Sequence, residues 1–189
     1  FDALVKRTLH AVRSERGERD VVAEHEVKKG KYAVYEVMHG SCCSVETDEA
    51  PIHTLNQHAL QAVLEVALLL KCTLVDAIQV MRKQVLDFSN TSGFQRTALA
   101  ALDGNIETAH GVVGIASICI EEDSARRIRS EPAYTVFRLD RLGIPLIEVT
   151  THPDMTSPEQ VKEIASYLGM VLKSTGKFRS GIGTIRQDL

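Results

Sequence analysis

Several things this 189-residue sequence lacks narrow what it can be. It has no strong charge of either sign: the net charge is −3, so nothing global marks it as a nucleic-acid binder, and any such contact must come from local patches. It has no apolar run near the roughly 18 residues that a membrane span needs. Its opening does not read as a secretory leader. Its four cysteines, Cys42, Cys43, Cys72 and Cys119, include no CxxC pair and resemble neither a zinc site nor a disulfide framework. Reduced thiols and a cytoplasmic location are the expectation, with no membrane partner. There is no G-x-x-x-x-G-K-[ST] pattern, which excludes a P-loop. Internal repeats and low-complexity segments are also missing. The chain opens on Phe1 and stops at Asp188-Leu189, and it reads as a piece of a longer protein.

What is present is ordinary for a globular chain, with 44% hydrophobic and 25% charged residues. One sizeable core is expected, with two small domains as the alternative. Val5, Leu9 and Val12 suggest a helix over residues 1–13. Asp20 can cap a short helix that Gly30 ends. The stretches 31–38 and 41–47 read as two strands of a hairpin around His39-Gly40. Thr54 and Gln57 have capping-box spacing at the head of a helix that runs to about Leu70.

"DAIQVMRKQVLDF" (76–88) reads as a strand with Arg82 and Lys83 at its centre, and "SNTSGFQRT" (89–97) as a flexible polar loop. Residues 112–123 form a buried strand ending in three acids, and two more strands follow with a turn at Arg141-Leu142-Gly143. Ser157, Pro158 and Gln160 open the clearest helix. Strands with helices between and after them give an α+β fold class with a largely antiparallel sheet and packed helices.

Two acids stand out. "GIPLIEV" (143–149) sets Glu148 among aliphatic residues, where a carboxylate is costly to desolvate. On 112–123, a period of two places Glu122 on one face with Gly114, Ala116, Ile118 and Ile120. If the strands are neighbours, the two carboxylates can converge and share a cation, and oxygen-only ligation suits Mg²⁺. The alternative leaves Glu148 facing solvent, or paired with Arg138 or Arg141.

Around Gly93, backbone N–H groups with Ser92 and Gln95 could cradle phosphate oxygens, though an ordinary surface turn is the first reading of such a loop. Basic patches occur at Arg126, Arg127 and Arg129 and in the tail at Lys173, Lys177, Arg179 and Arg186. They could contact an RNA backbone through its phosphates, but each taken by itself reads first as a solvated face, and without interleaved aromatics base stacking is not indicated.

Four ordered segments carry a resemblance: "VMRKQVLDFSNTSGFQRTALAALDG", "EEDSARRI", "RLGIPLIEVTTHPDMTSPEQ" and "RQDL". Together they resemble the B/E family of glutamyl-tRNA(Gln) amidotransferase subunits, the archaeal E branch more closely than the bacterial B branch. The likeness is strong over 76–189 and looser over 31–70. It implies a glutamine-synthetase-like cradle domain that uses ATP and Mg²⁺ to phosphorylate the glutamate carried by tRNA(Gln). Ammonia from an asparaginase-like partner, the D subunit, then gives Gln-tRNA(Gln).

Matched to the family's motifs, Glu122 and Glu148 are metal-holding catalytic acids. Lys83, Ser92, Phe94 and Gln95 belong to the nucleotide site. Arg186 and Asp188 match an "RCD"-type motif in which Gln187 replaces cysteine. His152 stands where the bacterial branch has glutamate. The family's N-terminal metal-site strand, its inserted domain and its C-terminal tRNA-binding regions have no counterpart here, so this stretch alone is expected to be inactive. A non-catalytic module of the same fold, binding tRNA or docking other subunits, is the alternative.

Overall fold

Side chains alternate across the first sheet, with Ala33, Tyr35 and Phe137 on one face and Tyr32, Glu36, Tyr134 and Arg138 on the other. A computed structural model describes residues 2–179 and 181–188, and the chain divides into two compact units. The first comprises Phe1–Thr54, Met81–Arg96 and Glu122–Pro145, and the second Leu55–Val80, Thr97–Glu121 and Leu146–Leu189. Each has its own apolar cluster, so two cores replace the single one expected.

In the first unit, β1 (Ala3–Thr8), β2 (Tyr32–Val37), β8 (Tyr134–Arg138) and β7 (Arg126–Ser130) form a four-stranded sheet in the order β1-β2-β8-β7. β1 is antiparallel to β2, β2 runs parallel to β8, and β8 is antiparallel to β7. Ala33, Tyr35, Phe137 and Leu139 pack with Ala125 on one face. Residues 3–8 are thus a strand and not a helix. A pairing edge supplied by β2 outweighs the weak helical period of Val5, Leu9 and Val12. The expected 31–47 hairpin is also absent: residues 41–47 are turns, and β2 takes β1 and β8 as neighbours instead. Asp20 caps α1 (Val21–Lys28) by accepting from the Ala23 N–H at 2.8 Å, as its position predicts.

The second unit carries β3 (Thr73–Leu74) and, except for the end residues that fall in the first unit, β5 (Phe94–Thr108), β6 (Gly111–Glu122) and β9 (Pro145–Thr151), in the order β3-β5-β6-β9. α2 (Gln57–Leu69) and α3 (Pro158–Ser174) contribute to its core, where Val63, Val66, Ile115, Ile118 and Ile164 are buried. The cap of α2 is Asn56, whose side chain accepts from the Ala59 N–H at 3.0 Å, and not Thr54. Ser157 caps α3 with Pro158 following it, as expected.

Burial along β6 changes phase. Val113 and Ile115 face the core, and then Ile118 and Ile120 do. The change falls where Asp103 of the paired β5 adopts φ 55°, between residues paired with Ser117 and Ile115. A single alternating face along 112–123 therefore does not hold. The α+β class with largely antiparallel sheets does.

Candidate functional site

Glu122 sits at the end of β6 and is held by two consecutive residues of β5. Arg96 donates through Nε to Glu122 Oε1 at 2.8 Å, and through a terminal nitrogen to the same oxygen. The Gln95 side-chain amide donates to the Glu122 backbone carbonyl at 2.6 Å. The other terminal nitrogen of Arg96 donates to the His53 carbonyl. The two paired side chains are 15% and 21% exposed, so the ion pair is shielded but reachable. A charge-assisted contact in such a place is stronger than one in open water. Both Arg96 contacts with the Glu122 side chain go to Oε1, which leaves Oε2 as the acceptor atom that a cation can use.

Residues 85–93 connect β4 (Val80–Gln84) to β5, and β4 pairs with β5. The expected flexible loop is in fact pinned. Val85 N–H donates to the Gly93 carbonyl at 2.8 Å, and Gly93 N–H donates to the Asn90 carbonyl at 3.0 Å. The Thr91 hydroxyl donates to the Glu46 carbonyl, and the Tyr35 hydroxyl to the Phe88 carbonyl at 2.7 Å. Burial pushes the Tyr35 phenol up, and the Asp87 carboxylate adds to the shift.

Gly93, at φ 75°, makes the turn into β5. The Ser92 hydroxyl donates to the Phe94 carbonyl and accepts from the Phe94 N–H. The N–H groups of Gly93 and Phe94 are therefore spent inside the loop, and the phosphate cradle expected of them is not formed. "FQRT" itself belongs to β5, because β4 and β6 supply pairing partners on either side.

Of the residues expected at a nucleotide site, Lys83 is exposed on β4 and Ser92 is exposed in the connection. Phe94 is exposed at the head of β5, with the Arg82 guanidinium 5.0 Å from its ring centroid. These residues lie in the first unit with Gln95 and Glu122. Glu148, Arg186 and Asp188 lie in the second unit.

Glu148 is exposed. Ile147 and Val149 turn toward the core, and Glu148 occupies the alternate face of β9. Its setting among aliphatics is thus the ordinary alternation of a half-buried strand, and no buried charge has to be compensated. Arg138 pairs with Glu36 at 2.8 Å, and Arg141 donates to the Ser124 carbonyl at 3.0 Å. Arg186 and Asp188 are exposed in the tail. His152 is exposed beyond β9; its N–H donates to the Gly114 carbonyl at 2.8 Å, and its ring lies where a Cβ at Gly114 would be.

Sequence reasoning missed Arg96. The available signal was the alternation of Phe94 and Arg96 opposite a strand that ends in acids. It was hidden by reading 89–97 as one loop. It also missed a second pair, the Cys43 thiol 3.8 Å from His53 Nε2.

Among the described residues, no three His, Cys, Asp or Glu side chains gather to hold a metal ion. A closed protein cage for a cation is therefore not what these residues make. Mg²⁺ arriving on nucleotide phosphates needs only one or two carboxylate oxygens, which Glu122 Oε2 can supply in part. The chemistry of the first unit is that of a guanidinium and a carboxylate side by side, suited to an anion accompanied by a cation.

A family profile described as the GatB/GatE catalytic domain matches residues 27–189. The chain is 49% identical over 188 residues to the E subunit of the glutamyl-tRNA(Gln) amidotransferase of Methanocaldococcus jannaschii, covering 100% of the chain and 30% of that protein. It is 50% identical over 185 residues to the same E subunit from Methanothermobacter thermautotrophicus, covering 98% of the chain and 30% of the relative. The E subunit of Methanobrevibacter smithii is 50% identical over 189 residues, again with 30% of its length covered. The chain thus spans about 30% of the length of the curated relatives it matches. It belongs to the GatB/GatE catalytic-domain family.

Proposed function

We propose that this chain is part of the amidotransferase component that converts glutamate on tRNA(Gln) to glutamine at the expense of ATP. In the first step an oxygen of the glutamate γ-carboxylate attacks the γ-phosphorus of ATP, and ADP leaves. In the second, ammonia attacks the resulting acyl phosphate, inorganic phosphate departs, and the amide nitrogen loses its extra proton. The observation that carries this reading is the 49% identity, across the whole chain, to a protein named for that amidotransferase.

Phosphoryl transfer asks a protein for positioning and charge neutralisation more than for covalent chemistry. Arg96 and Glu122 supply one fixed charge of each sign in a shielded place. Mg²⁺, when bound, neutralises phosphate charge. Glu122 and Glu148 are the acids proposed to hold it, Glu122 through the oxygen that Arg96 leaves open. Lys83, Ser92, Phe94 and Gln95 are proposed to bind the nucleotide from the first unit, and Arg186 and Asp188 from the tail. An asparaginase-like D subunit is the proposed ammonia source and the cytoplasm the proposed location. No described helix is long and apolar enough to cross a membrane. The 189 residues alone are proposed to be inactive, since they span about 30% of the length of the curated relatives they match.

The test is calorimetric titration of ATP with Mg²⁺ into the full-length protein, with Glu122→Gln and Glu148→Gln alongside. Weaker nucleotide binding in both variants is expected. Binding unchanged in both removes the two acids from the site. Absence of ATP-dependent turnover of Glu-tRNA(Gln) by the intact complex removes the function itself.

A further inference from the structure

On the face of the four-stranded sheet opposite the Tyr35–Phe137 cluster, a pair of tyrosines is flanked by a cation on each side, a grouping that is not contiguous in sequence. Tyr32 of β2 and Tyr134 of β8 are register partners, and their rings stack with centroids 5.3 Å apart and planes 17° from parallel. Lys6 of β1 places its ammonium 4.0 Å from the centroid of Tyr32. Arg129 of β7 places its guanidinium 6.0 Å from the centroid of Tyr134. The row therefore crosses all four strands, about 14 Å at the usual spacing of roughly 4.8 Å between neighbours. Its aromatic pair is on the central strands and its cations are on the two edge strands.

Lys6 and Arg129 are exposed, and neither forms an ion pair with a described residue. Other charges on this face are matched, Glu36 by Arg138 and Arg126 by Asp140. The surplus is thus two positive charges, one at each edge, on either side of two half-buried tyrosines. In sequence the arginines of "ARRIR" have no aromatic among them. Strand pairing brings Tyr134 beside Arg129, and Tyr32 beside Tyr134.

We propose that this face, centred on Lys6, Tyr32, Tyr134 and Arg129, binds the sugar-phosphate backbone of the RNA substrate. The proposal rests on the tRNA substrate of the function proposed above. A ligand with negative charges repeated along its length can meet both edge cations at once. The faces of the two rings are taken by each other and by the cations, so the row offers charge and ring edges and no free stacking surface. Contact of that kind gives affinity and position without reading base identity. It depends on salt, because each neutralised phosphate releases counterions.

The test uses the full-length protein and labelled tRNA(Gln), with affinity measured across a series of salt concentrations. Lys6→Ala with Arg129→Ala should bind more weakly, with the slope of log affinity against log salt shallower by roughly 1.4–2. Lys6→Arg with Arg129→Lys keeps the charges and should retain both affinity and slope. If the double alanine variant matches wild type in affinity and slope, the face is not an RNA site. If it also fails to co-elute with its partner protein, the face belongs to a protein, and the proposal is overturned. Turnover separates the two readings. A wild-type complex active on Glu-tRNA(Gln), with a variant of unchanged KM and slope, sinks the face and spares the function. An inactive wild type whose variant still loses RNA affinity and slope sinks the function and supports the face.

Discussion

Arg96 places its Nε 2.8 Å from Oε1 of Glu122 and sends a terminal nitrogen to that same oxygen, so one carboxylate oxygen is committed and the other is not. Removing one partner from a shielded pair leaves an unpaired charge, which costs more than the pair contributes. Arg96→Ala and Glu122→Gln are each expected to destabilise the protein by about 1–3 kcal/mol. The double variant should cost less than the sum of the two. A double-mutant cycle from urea midpoints checks this, and simple additivity would mean the contact carries no coupling.

The helix α2 gives a smaller effect at a position that residue spacing misassigns. Asn56 accepts from the Ala59 N–H, while Thr54 lies two residues outside the cap. Asn56→Ala should lower stability by about 1 kcal/mol and Thr54→Ala by little. If the thermal unfolding midpoints of the two variants fall equally, the cap has been misplaced.

Much of the fold was legible where local chemistry decides alone. Asp20 and Ser157 head their helices, and residues 32–37, 111–122 and 145–151 are strands, because a short capping side chain or a run of β-formers fixes these within a few residues. What failed depends on partners distant in sequence. Residues 3–8 have a helix-like period but are drawn into a sheet by β2, and "FQRT" is polar yet lies between β4 and β6. The same cause governed the site. Glu122 was identifiable as an acid closing a strand, but its partner Arg96 was not, because the pairing of β5 with β6 is not written in either segment. Glu148 was singled out for burial that alternation on β9 denies it.

Gly104 shows how tightly the second unit's core is closed. A Cβ there would lie 2.6 Å from the Leu70 carbonyl oxygen and 3.2 Å from the Ile115 Cβ, and closer still to the Cys72 sulfur. The carbonyl is backbone and cannot swing aside. Gly104→Ala is therefore expected to cost about 1–3 kcal/mol through overpacking. Adding Cys72→Ala should recover part of that loss and not all, as read from chemical denaturation. Complete recovery would place the whole clash on the thiol.

Tyr35 links burial to alkaline stability. Its hydroxyl donates to the Phe88 carbonyl at 2.7 Å, and burial first, then the Asp87 charge, raises its folded pKa above the ordinary tyrosine value of about 10. The sign follows from proton counting. Between the unfolded and folded pKa values the folded state holds the proton and the unfolded state has lost it, so stability falls as pH rises. The contribution is complete below about pH 10 and declines above it. Tyr35→Phe removes both the hydrogen bond and the titration. It should be less stable than wild type by about 1 kcal/mol near pH 8, and this gap should narrow as pH rises past about 10. Urea unfolding of both proteins across that range decides the matter: a gap that stays constant would mean the Tyr35 phenol ionises alike in the folded and unfolded chain.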